Sequence, residues 1–376
     1  MNTWSLLYVV GASQAALLAL ALWRRPLNAE ANRVLAVWIA LIGIDLVVKA
    51  AYFHAPGPAL FKPYRFVGLF PFLYGAFFYV YVRVLTQARP VGWHDVRHLA
   101  GFAFALVVKA GMLLQSRAQT EAYFARLAAG EPMGDRWWFD IALYAYSLSY
   151  IVAALVRVRR YRRGLLARRS DADAMSLRWI DAMAASQIVI WCIATAHWLV
   201  RVRWIDYPLI YGAVVAWVFV VGYLSLRQNV IPAAPAPDPQ PPAVSPDEAP
   251  LDDARAAAVE SRLAQLMSQE ALYREPALTI GQLARRSGYP EYLVSAVINR
   301  RCDGNFWEYI NRLRIEAVRE RLADASDART ILDIAYDCGF TSKSTFNAAF
   351  KRQLGVTPSA YRGRHAATAA IRTVPD

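Results

Sequence analysis

Seven long hydrophobic segments in the first 227 residues constrain this chain more than any other feature. A helix that crosses a lipid bilayer needs about 20 mostly apolar residues. The segments are 4–23, 34–53, 66–85, 99–114, 138–158, 184–202 and 205–226, of which the fourth is short and contains Lys109. Buried helices of a soluble domain are the alternative interpretation. Seven segments in a row, joined by short basic or polar connectors, instead favour a polytopic bundle of seven transmembrane helices at residues 1–227.

The distribution of arginine and lysine among the connectors predicts the orientation of this bundle. Short cytoplasmic loops carry an excess of these residues. The connector after the fifth segment holds seven arginines between Arg159 and Arg178, and Arg24 and Arg25 follow the first segment. The connectors on the other side hold fewer basic residues and mix them with acids. We therefore expect a multi-pass protein of the bacterial inner membrane, with the N-terminus outside and everything after Leu226 in the cytoplasm.

The first segment resembles a secretory signal only superficially. No positive charge precedes it and two arginines follow it, which is the reverse of a signal peptide, so we expect it to remain attached. A proline-rich stretch at 228–251 then separates the bundle from the rest of the chain. It has eight prolines between Pro232 and Pro250 and no apolar periodicity, which predicts a semi-extended cytoplasmic linker.

The pattern after this linker is that of a soluble helical domain. Thr279 and Gln282 have the spacing of a capping box at the start of a helix. That helix is predicted to end at Gly288, where glycine permits a tight turn, and Pro290 suits the first turn of the next helix. A long helix is predicted over Phe306–Ala323, because its apolar residues recur at helical spacing.

The two-helix pattern then repeats. A short helix is predicted to end at Gly339, and a second helix follows from about Thr341. Two bihelical units joined by one helix predict a compact all-α domain at 252–364, followed by a disordered tail at 365–376. The fold class is therefore all-α, with a seven-helix transmembrane bundle followed by a soluble double helix-turn-helix domain.

The stretch "ILDIAYDCGFTSKSTFNAAFKRQLGVTPSAYR" closely resembles the signature of the AraC/XylS-type transcription regulators. The upstream stretch "GYPEYLVSAVINRRCDGNFWEYINRLRIEAVRERL" resembles the first unit and linker helix of the same family. The resemblance covers about residues 260–364, and a double unit is a far more specific signal than a lone helix-turn-helix. The family also has membrane-embedded members with a hydrophobic sensor half, which would explain why one chain carries both parts.

The resemblance implies that the second helix of each unit enters the major groove of double-stranded promoter DNA. Asparagine can bond bidentately to adenine, and lysine can donate to guanine. The candidate base-contacting residues are Tyr292, Ser295 and Asn299 in the first unit and Lys343, Ser344 and Asn347 in the second. The candidate phosphate-contacting residues are Arg300, Lys351 and Arg352. An ordinary solvated helix face is the alternative for each of these residues.

Two alanines on these faces reduce the capacity for direct readout. Ala296 offers no hydrogen bond, and Ala348 departs from the family, which often has an arginine there. We therefore expect more reliance on DNA shape or on a homodimer.

Catalytic and metal-binding motifs are missing from the sequence. Cys192, Cys302 and Cys338 are far apart and lack metal-ligand spacing, so we expect no disulfide, no metal and no cofactor. His98 and His197 are scattered, and neither HExxH nor GxSxG occurs. We predict that the protein is a regulator and not an enzyme. A membrane transporter or enzyme whose DNA-binding tail regulates its own gene is the alternative.

Ionisable residues inside the hydrophobic segments predict a sensor site. Charges in lipid are costly and usually face a bundle interior or a watery cavity. The candidate residues are Asp45, Lys49, Lys109, Asp140, His197 and Asp206, ringed by Tyr52, Tyr144 and Tyr207. They would form an outward-opening polar pocket that binds a small molecule or responds to external pH. The alternative, which the sequence leaves open, is that Lys49 and Lys109 extend toward the lipid headgroups and that Asp140 and Asp206 are ordinary interface residues.

Overall fold

The protein folds into two compact units, each described here by itself. The computed structural model describes residues 3–87, 89–129, 137–172, 177–200, 207–226, 252–302, 304–324 and 326–372. The apolar unit consists of Met1–Arg159 and Leu177–Ala236, and the polar unit consists of Arg160–Ser176 and Pro237–Asp376. Both are helical: within the described residues, strand-like pairing is limited to one isolated bridge between Arg169 and Thr279. The all-α prediction is confirmed.

Within the described residues, the apolar unit contains nine helices, of which the seventh continues into the polar unit. They are α1 (Thr3–Arg24), α2 (Ala29–His54), α3 (Pro58–Val67), α4 (Pro71–Thr86), α5 (Ala100–Leu113), α6 (Arg117–Ala128), α7 (Trp137–Arg168), α8 (Arg178–Val200) and α9 (Tyr207–Leu226), with a 3₁₀ helix at Trp93–Leu99. Within the described residues, six helical segments are long and apolar enough to cross a membrane, and the apolar helix Leu209–Ser225 is shorter. The sequence predicted seven spans, whereas the described residues contain six long segments and one shorter apolar helix.

Two of the predicted spans differ from the observed helices. The third is divided, because α3 ends at Val67 and α4 begins at Pro71, which has no N–H to continue a helical hydrogen-bond ladder. The fifth is longer than predicted, because α7 continues through the arginine-rich stretch to Arg168. Arginine has a high helix propensity, so the basic residues that were predicted to mark a membrane boundary do not end the helix.

Aromatic packing between α2, α4 and α9 forms the centre of the apolar unit. Trp38 on α2 is fully buried, and its ring centroid lies 4.9 Å from that of Trp217 on α9 and 6.2 Å from that of Phe78 on α4. Helix α1 packs along both α2 and α9. These contacts bring side chains of α4 and α9 against Trp38 of α2.

In the described part of the polar unit there are a further seven helices. They are α10 (Asp253–Ser268), α11 (Ile280–Ser287), α12 (Glu291–Arg301), α13 (Phe306–Ala323), α14 (Ile331–Asp337), α15 (Lys343–Leu354) and α16 (Pro358–Arg372), with a 3₁₀ turn at Leu272–Arg274. The bounds of α13 agree with the prediction. Helices α11 and α12 form the first helix pair, α14 and α15 form the second helix pair, and α13 contacts members of both.

Local capping signals explain most of these helix ends. The Thr279 hydroxyl accepts a hydrogen bond from the Gln282 N–H at 3.2 Å, and the Gln282 side chain accepts from the Thr279 N–H at 2.8 Å, so the predicted capping box is present. Gly288 ends α11 in the left-handed conformation. Pro290 is the N-cap of α12 and lies just outside the helix, one position earlier than predicted.

The remaining predictions concern the linker, the C-terminal tail and the basic connector after α7. The linker at 228–251 lies outside the described residues. Helix α16 runs to Arg372, into the segment predicted as a disordered tail. The stretch Arg160–Ser176, predicted as part of a bundle connector, is counted with the polar unit. Its described residues make direct hydrogen bonds with that unit, as set out below.

Candidate DNA-binding surface

The second helix of the first pair, α12, is held by four apolar side chains on one face. Leu293, Val294, Val297 and Ile298 are buried in the core that α10, α11 and α13 complete. With these residues inside, the opposite face is turned to solvent. The predicted contact residues Tyr292, Asn299 and Arg300 are exposed there, and Ser295 is half-buried. Tyr292 is 66% exposed, which is unusual for a large aromatic side chain in this unit.

Helix α15 of the second pair repeats the arrangement. The Ser342 hydroxyl caps the helix by accepting from the Thr345 N–H at 3.2 Å, and Thr345, Phe346, Ala349 and Phe350 are buried. This buried face leaves a continuous polar face on the other side. The exposed residues of α15 are Lys343, Ser344, Asn347, Ala348, Lys351, Arg352 and Gln353, which include all the contact residues predicted in the second unit.

The turn between α14 and α15 depends on Gly339. Its φ is +93°, in the region that favours glycine, and a Cβ built there would lie 2.7 Å from the Arg274 carbonyl oxygen and 2.8 Å from that of Tyr273. The Phe340 N–H donates to the Ala335 carbonyl at 3.1 Å, which closes the end of α14. This close approach fixes the turn of the second helix pair against the 3₁₀ turn of the first half of the domain.

Two neighbouring arginines at the end of α12 have different roles. Arg301 pairs with Glu260 at 3.3 Å and with Asp253 at 2.5 Å, and these hydrogen bonds raise its pKa. The side chain therefore ties α12 to α10. Arg300 is exposed on the polar face. Of the two, Arg300 is the exposed one, and its role as a phosphate contact stays a prediction.

Arg352 on α15 has a partner that the sequence did not indicate. Its guanidinium carbon lies 4.2 Å from the centroid of the Trp307 ring, on the first turn of α13. A cation over an aromatic face is held electrostatically and loses side-chain freedom. Arg352 is thus a positioned cation, whereas the neighbouring Lys351 is an exposed side chain on the same helix.

The structure brings the predicted sensor residues Asp45 and Lys49 together. The Lys49 ammonium donates to Asp45 Oδ2 at 2.6 Å, and both side chains are buried. The Tyr74 hydroxyl on α4 donates to the same oxygen at 3.1 Å, and the Lys49 nitrogen lies 3.6 Å from the centroid of the Tyr211 ring on α9. Sequence reasoning missed Tyr74 and Tyr211, since only the packing of α2, α4 and α9 reveals them.

The other predicted sensor residues lie on other helices or outside the described residues. Lys109 on α5 has its nitrogen 4.3 Å from the centroid of the Phe139 ring, and Asp140 is in the first turn of α7. His197 is in the last turn of α8, and Asp206 lies outside the described residues. Of the three predicted tyrosines, Tyr52 stacks on Tyr64 with centroids 4.1 Å apart, Tyr144 packs against Trp191 and Trp198, and the side chain of Tyr207 is outside the described part of the chain.

The cysteines and the potential metal ligands were also considered in the sequence. Cys192, Cys302 and Cys338 form no disulfide within the described residues. In the part of the chain that the structure describes, no group of three or more His, Cys, Asp or Glu side chains could hold a metal ion.

The helix pairs match known proteins. A family model described as a helix-turn-helix domain matches residues 283–364, which contain both candidate recognition helices. The regulatory protein SoxS of Escherichia coli K12 is 36% identical over 89 residues, covering 23% of this chain and 79% of SoxS. The probable transcription factor PqrA of Proteus vulgaris is 29% identical over 91 residues, covering 24% of this chain and 73% of PqrA.

A longer relative matches in the same way. The melibiose operon regulatory protein of E. coli K12 is 33% identical over 88 residues, which are 23% of this chain and 28% of that protein. No solved structure matches the chain. The family match lies entirely within the polar unit, and the apolar unit falls outside it.

Proposed function

Since this chain belongs to the AraC family of helix-turn-helix transcription regulators, we propose that it is a membrane-tethered member of that family. It binds promoter DNA sequence-specifically through α12 and α15, in response to a signal sensed by its apolar unit. The observation that carries the proposal is that one chain contains two kinds of helices. Helices α12 and α15 each have one buried apolar face and one exposed polar face, and six helical segments of the described residues are long and apolar enough to span a membrane.

The exposed faces divide into residues that read bases and residues that bind the backbone. Asn299 and Asn347 offer the amide pair that suits adenine, and Lys343 suits the acceptors of guanine. Arg300, Lys351 and Arg352 supply cations for phosphates, which give affinity without sequence information. Arg352 is already held over the Trp307 ring, so its side chain loses less conformational entropy on binding DNA than a freely rotating side chain would lose.

DNA occupancy in cells tests the DNA-binding part of the proposal. Genome-wide mapping of DNA bound by the intact protein is expected to give discrete promoter peaks. Asn347→Ala should reduce or shift these peaks. Gln353→Ala, an exposed change on the same helix, should leave them in place. Peaks that are identical in all three proteins would remove α15 from the interface.

The tethering part of the proposal specifies an orientation. With the arginine-rich connectors inside, the polar unit lies in the cytoplasm, where it meets DNA. A reporter active only in the cytoplasm should work when fused after Arg227 and fail when fused at Gly130. The reverse pattern would separate the polar unit from DNA and refute the tethered arrangement.

The sensing part rests on the buried pair of Asp45 and Lys49. An ion pair in a membrane bundle marks a functional site more often than an ordinary packing contact. Asp45 Oδ1 has no hydrogen-bond partner among the described residues, although it is buried. The pair therefore has unused acceptor capacity toward a proton or a donor group of a small molecule.

Promoter output tests the sensing part. The neutral double variant Asp45→Asn/Lys49→Met, if it reaches the membrane, should no longer respond to the inducing condition. His197→Gln tests the wider pocket in the same assay. A normal response in both variants would exclude a signal site at these residues.

A further inference from the structure

A short segment after α7 is buried in the polar unit. The residues Arg169–Asp171 follow the last turn of α7 within an arginine-rich stretch, yet Ser170 is 0% exposed and Asp171 is also buried. Both Arg169 and Ser170 pair with the strand-like backbone at Leu278–Thr279, just before α11. A polar loop buried this completely must find partners for its polar groups.

Ser170 finds a partner for each of its polar groups. Its N–H donates to the Leu278 carbonyl at 3.0 Å. Its carbonyl accepts from Asn311 Nδ2 at 3.0 Å, and its hydroxyl accepts from Arg314 Nη2 at 3.1 Å. Asn311 and Arg314 lie one turn apart on α13, so one helix face supplies two donors to a single serine.

The receiving side chains are as deeply buried as the segment. Arg314 is 1% exposed, and burial lowers its pKa to about 10, although the charge of Asp171 opposes the shift. Its guanidinium also donates to the carbonyls of Tyr273 and Glu275, each at 2.8 Å. Arg169 holds Asp171 in turn, through two hydrogen bonds of 2.8 and 3.1 Å. Arginine and aspartate are rarely buried unless they are paired, so the site is built around the segment.

The segment sits where the two helix pairs meet. Leu278 and Thr279 lead directly into α11 of the first pair. Arg314 lies on α13, which joins the pairs, and its guanidinium carbon is 5.8 Å from the ring centroid of Phe340 in the turn of the second pair. One side chain thus touches the docked serine, the backbone before the first pair and an aromatic ring of the second pair.

We propose that Arg169–Asp171 is an internal ligand of the DNA-binding domain, which locks the two helix pairs in one relative arrangement and transmits movement of α7 to them. This inference rests on the proposed function. While docked, the segment fixes the positions of α12 and α15 relative to each other. The domain then loses little conformational entropy when the two helices enter two successive stretches of major groove. Withdrawal of the segment removes one hydrogen-bond acceptor from Asn311 and one from Arg314, and so loosens the joint. Because the segment follows α7 directly along the chain, a shift of that helix is felt at Ser170.

The docking itself can be tested without DNA. In inside-out membrane vesicles that contain the full chain, trypsin cleavage after Arg169 is measured by mass spectrometry. The docked segment should resist cleavage. Ser170→Trp, which does not fit a fully buried serine site, should speed cleavage at this bond at least tenfold. Ser268→Trp is the matched control, because Ser268 is exposed at the end of α10, and it should leave the rate unchanged. Rapid cleavage in the unsubstituted protein would overturn the docked arrangement.

The coupling is tested by DNA affinity in the same vesicles, with a bound promoter fragment as probe. Ser170→Trp and the milder Asn311→Leu, which removes the donor to the Ser170 carbonyl, should each weaken binding about tenfold. Faster cleavage with unchanged or tighter DNA binding would overturn the locking role. Should Ser170→Trp prevent folding, Asn311→Leu gives the same two measurements. Absence of DNA binding in the unsubstituted chain would instead contradict the proposed function, while the cleavage result would still decide the docking.

Discussion

The two units of this protein distribute apolar and charged side chains in opposite ways. In the apolar unit, large hydrophobic residues face outward, with Leu17 67% and Val107 76% exposed, while the charged pair Asp45–Lys49 is buried. In the described part of the polar unit, the large hydrophobic side chains that stand exposed are Tyr292 and Tyr336. Its apolar residues otherwise fill the core.

This inversion is what the proposed placement of the two units, one in lipid and one in water, would produce. A helix bundle in lipid gains nothing by hiding leucine and valine, but it must pair its charges, whereas a domain in water gains about 25 cal/mol for each Å² of apolar surface that it buries. The opposite patterns support a membrane location for one unit and an aqueous one for the other. Tyr292 is the informative exception, because it lies on the proposed DNA-reading face of α12.

The largest expected effect comes from breaking the buried charge pair of the apolar unit. Lys49→Met leaves Asp45 buried without its cation, which should lower the free energy of unfolding by about 3–5 kcal/mol. Thermal unfolding of the purified full chain in detergent measures this loss. Asp45→Asn/Lys49→Met should recover much of it, because neither charge remains.

The matched control is an exposed pair on the same helix. Arg33 and Glu30 lie 3.6 Å apart with both side chains about half exposed, so Arg33→Met should change the stability by less than about 1 kcal/mol. Equal effects of Lys49→Met and Arg33→Met would mean that both pairs face water, and the contrast between the units would fail.

A backbone change should have the next largest effect, in the polar unit. Gly339→Ala places a Cβ against two carbonyl oxygens at a positive φ, which should cost about 3 kcal/mol and release the second helix pair. Gly288→Ala is the control, because its φ is +78° but nothing lies within 4 Å of the added atom. It should cost only about 1 kcal/mol. Protease resistance of the polar unit distinguishes the two, and similar losses would contradict the steric explanation.

Local signals made the polar unit largely predictable from sequence. The capping box at Thr279 and Gln282, the left-handed Gly288 and the bounds of Phe306–Ala323 all depend on residues a few positions apart. The docking of Ser170 was not predictable, because Asn311 lies 141 residues away and nothing near the serine indicates a partner.

The apolar unit shows a different limit. Asp45 and Lys49 are four residues apart in the sequence, which places them on one helix face, and the structure shows them paired there. Tyr74 and Tyr211 did not follow, because helices that are apolar all round have no hydrophobic stripe to indicate which face packs on which neighbour. Tyr52 and Tyr144, which were predicted to ring the sensor site, pack against other aromatic rings.

A smaller effect is expected from the exposed polar face of α15. Asn347→Ala should alter the preference for one base pair of the site by about 1–3 kcal/mol and leave the others unchanged. Affinities of the full chain in lipid nanodiscs, measured for a set of sites with single base changes, give this value. A uniform loss across all sites would reassign Asn347 to the DNA backbone.

The smallest effect distinguishes two adjacent cations. Lys351→Ala should weaken binding to all sequences alike and reduce the slope of log affinity against log salt by about 1. Arg352→Lys keeps the charge but weakens the stacking on Trp307, so it should leave the salt slope unchanged while lowering the affinity. A slope unaffected by Lys351→Ala would place that side chain away from phosphate.

The central claim is that one chain both resides in a membrane and binds DNA on the cytoplasmic side. Flotation of labelled promoter DNA with membrane vesicles tests it most directly. Inside-out vesicles that contain the full chain should carry the DNA upward in the gradient, whereas sealed right-side-out vesicles should not, and Asn347→Ala should reduce the signal at a specific site. DNA that floats only with right-side-out vesicles, or that stays with soluble protein below the membranes, would contradict the account.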